Sequence, residues 1–134
     1  MHLVLCLDQR NGLLFNNRRQ SSDRCMRQDL LKHVGTARLV VDRYTADQFE
    51  KGQDTRILTD TAPGDQDYYF LERGEVLPLL EKVSSVVIYR WDKVYPADTF
   101  LETDALKGFC LQEKTEFAGY SHKVITKEVY RREA

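Results

Sequence analysis

The stretch that most constrains this chain is residues 68–100, YYFLERGEVLPLLEKVSSVVIYRWDKVYPADTF. It opens on an apolar run, Tyr68, Tyr69, Phe70 and Leu71, with the length and composition of a buried strand. A polar turn, Glu72-Arg73-Gly74, separates that run from Val76, Leu77, Leu79 and Leu80. These four are expected on one side of a short helix ending near Lys82. A second buried strand is expected over residues 86–91, leading through Tyr95-Pro96 into Asp98-Thr99-Phe100. Strand, turn, helix and strand make a βαβ unit, and its crossover sets the two strands parallel in one sheet. The turn after the first strand is where α/β folds bring backbone amides up to phosphate groups. Glu72, Arg73 and Gly74 therefore govern any reading of function.

The rest of the chain fits around this unit. Leu3, Val4, Leu5, Cys6 and Leu7 form an unbroken apolar run, suited to a central strand covered on both faces. Asp8 to Gly12 carries turn chemistry, and the polar run NNRRQSSD after it reads as irregular. Ser22 is placed to cap a helix whose Met26, Leu30, Leu31 and Val34 fall at helical spacing before Gly35 stops it. Leu39-Val40-Val41 is a second strand, and Thr45-Ala46-Asp47-Gln48 has the form of a capping box opening a short helix that stops at Gly52. A third strand follows at Arg56-Ile57-Leu58-Thr59. Two β-like stretches close the chain, one beginning at Phe109-Cys110-Leu111 and one at residues 121–130, turning through Gly119-Tyr120. Residues 1–134 are expected to form one α/β domain: a mostly parallel central sheet, flanking helices and a C-terminal antiparallel hairpin.

Bulk properties narrow the functional classes. A formal net charge of −1 gives no electrostatic case for nucleic acid or an anionic membrane as partner. The longest apolar runs are too short to cross a bilayer, and MHLVLCLDQR lacks the basic start of a secretory signal. Cys6, Cys25 and Cys110 are odd in number and far apart, which fits reduced thiols and a cytoplasmic location. Neither they nor His2, His33 and His122 fall at metal-ligand spacing, so no metal site is expected.

In order and spacing these pieces resemble the dihydrofolate reductase family. LVLCLDQRNGLLFNN is similar to that family's first strand and the loop after it, and LLKHVGTARLVVDRYT to its first helix, second strand and second helix start. TRILT resembles the third strand, and FLERGEVLPLLEKVSSVVIYRW resembles the glycine-loop strand with its helix and next strand. Asp98-Thr99 with Phe100, the acidic LETDALKGF and the ending VITKEVYRR complete the likeness. The resemblance implies a reductase fold with an NADPH cleft. It assigns cofactor-binding positions to Arg43, Thr45 and Gly74, and it points to Asp23 as the nearest candidate for the catalytic acid on the first helix.

Departures from the family pattern are as informative. Where the family has a run of glycines approaching the cofactor pyrophosphate, this chain has Glu72-Arg73-Gly74, and Asp42 replaces the glycine before the second helix. A carboxylate repels a pyrophosphate, so NADPH is expected to bind weakly. Arg43-Tyr44-Thr45 keeps the form of a phosphate-holding segment, and the plain alternative is that Thr45 caps a helix beside a solvated Arg43. Asp23 likewise has a plain reading as a first-turn acid on the helix dipole, with Met26 at the acid's ungapped position and Asp29 beyond it. Arg18-Arg19 stands in place of the mobile-loop Pro-Trp, Gly52-Gln53-Asp54 in place of the glutamate-clamping arginine, and Tyr89 in place of a small hydroxyl residue. Only residues 60–67 join the third strand to residue 68, too short for the strand and helix the family has there. The third strand should then be a sheet edge, in a monomer or a homodimer. The resulting expectation is a reductase-like protein with degenerate NADPH and folate sites that binds a small-molecule or phosphate-containing ligand. An active NADPH-dependent reductase of dihydrofolate or a related heterocycle is the alternative.

Overall fold

A computed structural model describes residues 1–50, 52 and 54–133. The strands are β1 (His2–Leu7), β2 (Gly12–Phe15), β3 (Arg18–Arg19), β4 (Leu39–Val40), β5 (Ile57–Leu58), β6 (Tyr68–Phe70), β7 (Ser85–Arg90), β8 (Thr99–Phe100), β9 (Phe109–Phe117) and β10 (Ile125–Arg132). The helices are α1 (Arg24–Val34), α2 (Arg43–Ala46) and α3 (Leu77–Leu80). Seven strands form one sheet in the order β5-β4-β6-β1-β7-β10-β9, and β3-β2-β8 form a small second sheet. Ladders from β5 to β7 are parallel, whereas β10 runs antiparallel to both β7 and β9. The mostly parallel sheet and the C-terminal hairpin are as expected.

β1 is central because its side chains are apolar on both faces. Val4 and Cys6 join a core with Met26, Leu30 and Val34 of α1, while Leu3, Leu5 and Leu7 join a second core with Leu80 and Leu14. β7 alternates in the same way, Val87 and Tyr89 against Val86 and Ile88. The β6–α3–β7 unit is right in its parallel outcome, with β1 lying between its two strands. Its helix is shorter than expected and buries Val76 and Leu80, whereas Leu77 is 56% exposed and does not join that face. Successive helical positions lie about 100° apart, so one turn spreads these apolar residues around the helix and leaves Leu77 off the face that Val76 and Leu80 share.

Three local expectations need correction. The polar run after β2 is not irregular: Phe15 pairs with Arg18 and Leu14 with Arg19, making a hairpin turned by Asn16 and Asn17, both at positive φ. Asn tolerates the left-handed region and so signals this turn without glycine. Helix α1 is capped by Asp23 rather than Ser22, with the Asp23 carboxylate accepting from Cys25 N and Met26 N. Helix α2 is capped by Asp42, whose Oδ1 accepts from Thr45 N at 2.7 Å, so Thr45 lies inside the helix rather than opening it. A carboxylate outcompetes a hydroxyl for these amides because it carries full charge at the positive end of the helix. Of the segment 52–54, Gln53 lies outside the described residues.

Candidate functional site

The C-terminal ends of β1 and β6 meet the N-terminus of α2 and the β2–β3 hairpin, and a charged cluster closes that junction. Glu72, only 5% exposed, accepts from Arg19 Nε at 2.9 and 3.1 Å and from Arg19 Nη2 at 3.0 Å. Gln48 Nε2 donates to the same carboxylate at 3.0 Å. Arg19 also ties down α2: its Nη2 donates to Tyr44 O at 3.0 Å, and its backbone N–H donates to Tyr44 OH at 2.8 Å. Two guanidinium groups, Arg19 and Arg73, lie over the Tyr44 ring at 4.1 and 3.5 Å from its centroid. Burial alone would lower the pKa of Arg19, but its bonds to Glu72 more than reverse this and hold the cation. The Cys6 thiol beneath is pushed up by burial and then by the Glu72 charge. The space left among Cys6, Leu13, Ser21, Glu72 and Trp91 is a cavity of only about 10 Å³.

The expected cofactor residues are not gathered around one cavity. Arg43 lines a cleft of roughly 790 Å³ with Val41, Tyr69, Leu79 and Lys82. There it is 83% exposed and paired with Asp60 at 3.0 Å, and that carboxylate holds its pKa up. Gly74 lines a different cleft of roughly 490 Å³ with Val76, Phe100 and Leu101, at φ 123°, a conformation that favours glycine. Thr45 is wholly buried, and its Oγ1 has no hydrogen-bond partner among the described residues.

Asp23 is 2% exposed and saturated with donors. Oδ1 accepts from Cys25 N, Met26 N and Tyr120 N; Oδ2 accepts from Ser121 N, Ser121 Oγ and His122 Nδ1, the last at 2.8 Å. Burial opposes its ionisation, but His122 and the amides of Tyr120, Ser121 and Cys25 outweigh that and hold the carboxyl far below its usual range. The group thus binds the turn between β9 and β10 to the start of α1. Gly119 permits the approach, since a Cβ there would sit 2.7 Å from His122 O and 2.9 Å from Asp23 Oδ2. Met26 is buried. Asp29 receives Tyr89 OH at 2.6 Å and Lys127 Nζ at 3.1 Å, and burial followed by that carboxylate drives the Tyr89 phenol well above its ordinary range.

Sequence reasoning missed the partners that matter most: Arg19 for Glu72, and His122 for Asp23. They lie 53 and 99 residues apart in the chain, with no local periodicity linking them. Asp8, at the end of β1, was legible only as a turn residue. It is fully buried and accepts from Arg10 N, Gly12 N, Tyr95 N and Gln20 Nε2, bonds that overcome burial and lower its pKa.

The strand order and its antiparallel C-terminal hairpin define a dihydrofolate reductase-like fold. The particular likeness is to dihydrofolate reductase from Enterococcus faecalis, complexed with NADP(H) and RAB-propyl, at a TM-score of 0.69 and 9% identity, over 99% of this chain and 96% of that one. No family model matches the sequence, and no curated protein matches it.

Proposed function

We propose that this protein is a reductase scaffold turned binding module, with degenerate NADPH and folate sites and weak or no reductase activity. One observation carries the reading: the Arg19–Glu72 pair, with Gln48 and Tyr44, fills the junction of β1, β6 and α2. A pyrophosphate there would meet the Glu72 carboxylate and would have to displace a bidentate guanidinium from it. Asp60 similarly neutralises Arg43, the cation expected to greet a cofactor phosphate. These residues do not fit NADPH. Asp23, with both oxygens engaged, acts as a structural acceptor rather than as a proton donor to a pterin.

The ligand proposed is a small molecule, held in the cleft lined by Val41, Tyr69, Leu79 and Lys82. Three free thiols, one of them exposed, favour a reducing compartment, the cytoplasm. Among the described residues no helix is long and apolar enough to cross a membrane. A second reading, an NADPH-dependent reductase of dihydrofolate or a related heterocycle, is favoured by the likeness of fold to the NADP(H)-complexed reductase. Titration of NADPH, followed by cofactor fluorescence and calorimetry, separates the two. Binding weaker than roughly 0.1 mM is expected, a ΔG less favourable than about −5.5 kcal/mol. A micromolar constant would reinstate the reductase.

A further inference from the structure

Three side chains at the start of α1 stand in a relay that the preceding reading does not use. Asp23 Oδ2 lies 2.8 Å from His122 Nδ1, and His122 Nε2 lies 2.8 Å from Ser21 Oγ. The ionised Asp23 can only accept, so Nδ1 carries the imidazole proton and Nε2 presents its lone pair to the Ser21 hydroxyl. The ring is held from its face by Trp91, stacked at 4.5 Å between centroids and 20° between planes. A carboxylate orienting an imidazole that faces a hydroxyl is the arrangement that activates serine nucleophiles, recognised by geometry rather than by chain order.

Ser21 is half-buried and lines the small cavity of about 10 Å³ described above, while Asp23 and His122 are buried. A cleft of roughly 570 Å³ lined by Phe15, Arg18, Gln20, Tyr95 and Pro96 adjoins the relay through Gln20, next to Ser21 in the chain, and Tyr95, so a substrate reaches Ser21 from this cleft past those two side chains. Tyr95 OH sits 3.1 Å from the same Nε2, a second donor competing for the one lone pair.

We propose that Ser21 is the nucleophile of an acyl-transfer centre, with His122 as its general base and Asp23 as the group that orients His122. Its substrate class is small esters whose acyl or alcohol part carries a negative charge toward Arg18. Ser21 Oγ bonds to the ester carbonyl carbon as its proton passes to His122 Nε2. The ester C–O bond breaks, and the departing alkoxide takes that proton from His122. Water then attacks the acyl-serine, again giving its proton to His122. Release of the carboxylic acid restores the Ser21 hydroxyl. The centre is independent of NADPH, so its test stands whichever way the cofactor titration falls.

The probe is a fluorophosphonate, whose phosphorus bonds to the serine oxygen as fluoride leaves and His122 takes the proton. Intact-mass and peptide mapping of the full chain should locate one adduct on Ser21, absent from a folded Ser21→Ala variant. His122→Gln should slow labelling by about 100-fold or more, the scale of a lost general base. Should that variant not fold, Tyr95→Phe decides: removing the competing donor should speed labelling of Ser21. Absence of an adduct on Ser21 in the wild type overturns the proposal. So does an unchanged rate in folded His122→Gln, or a Tyr95→Phe variant labelled no faster than the wild type.

Discussion

At the scale of single residues, Asp23 is the clearest case of one side chain deciding local structure. Its carboxylate caps α1, fixes the tautomer of His122 and anchors the turn between the last two strands. Asp23→Asn keeps the shape but loses the charge and turns one acceptor into a donor facing amide N–H groups. A loss of about 2–3 kcal/mol by urea denaturation at pH 7 is expected, the scale of charge-assisted bonds left unmade. The pH dependence follows from the depressed folded pKa. The contribution of Asp23 is complete above its unfolded value near 3.9 and fades as pH falls toward the folded one. Wild type and Asp23→Asn should therefore differ most at neutral pH and converge below about pH 4. A gap that persists undiminished at pH 2 would assign the effect to packing rather than charge.

At the scale of elements, β5 is the sheet edge that the short 60–67 connection implied. Its Ile57 N–H turns away from β4 and donates to Asp54 O at 3.3 Å, so a neighbouring turn satisfies part of the open edge. A monomer is expected by light scattering, and Ile57→Pro should leave the molecular mass unchanged. A wild-type dimer that Ile57→Pro dissolves would mean that β5 pairs with a second copy. What the sequence made legible is of this regular kind. Runs such as residues 3–7 and 86–89 declare central strands because both faces are apolar, and Gly35 declares the stop of α1 by its positive φ. The β2–β3 hairpin was hidden because two asparagines turn it and two arginines form its return strand, a composition that also suits a loop. The candidate site was hidden for a related reason. Glu72 was visible as an odd residue at a phosphate turn, but its meaning depends on Arg19, which only the folded chain brings near.

At the scale of the whole molecule, Arg19–Glu72 latches the hairpin across the end of the main sheet, and the latch is buried enough for desolvation to matter. Arg19→Ala should cost about 3–5 kcal/mol by chemical denaturation, because it strands the Glu72 carboxylate. Arg19→Met combined with Glu72→Leu removes both charges at similar volume and should be close to neutral, or stabilising by about 1–4 kcal/mol. Equal losses in the single and double variants would mean that the pair itself, rather than the stranded charge, holds the hairpin down. The placement of β1 between β6 and β7 has a further effect, on the making of the protein. His2 pairs with Tyr68 on one side and Ser85 on the other. At about 5–20 residues per second, a ribosome needs several seconds to deliver those partners. For that interval the most apolar strand of the chain has no sheet to enter. A nascent chain of this design is thus exposed to chaperone capture and to aggregation until residue 90 has emerged, however stable the finished fold.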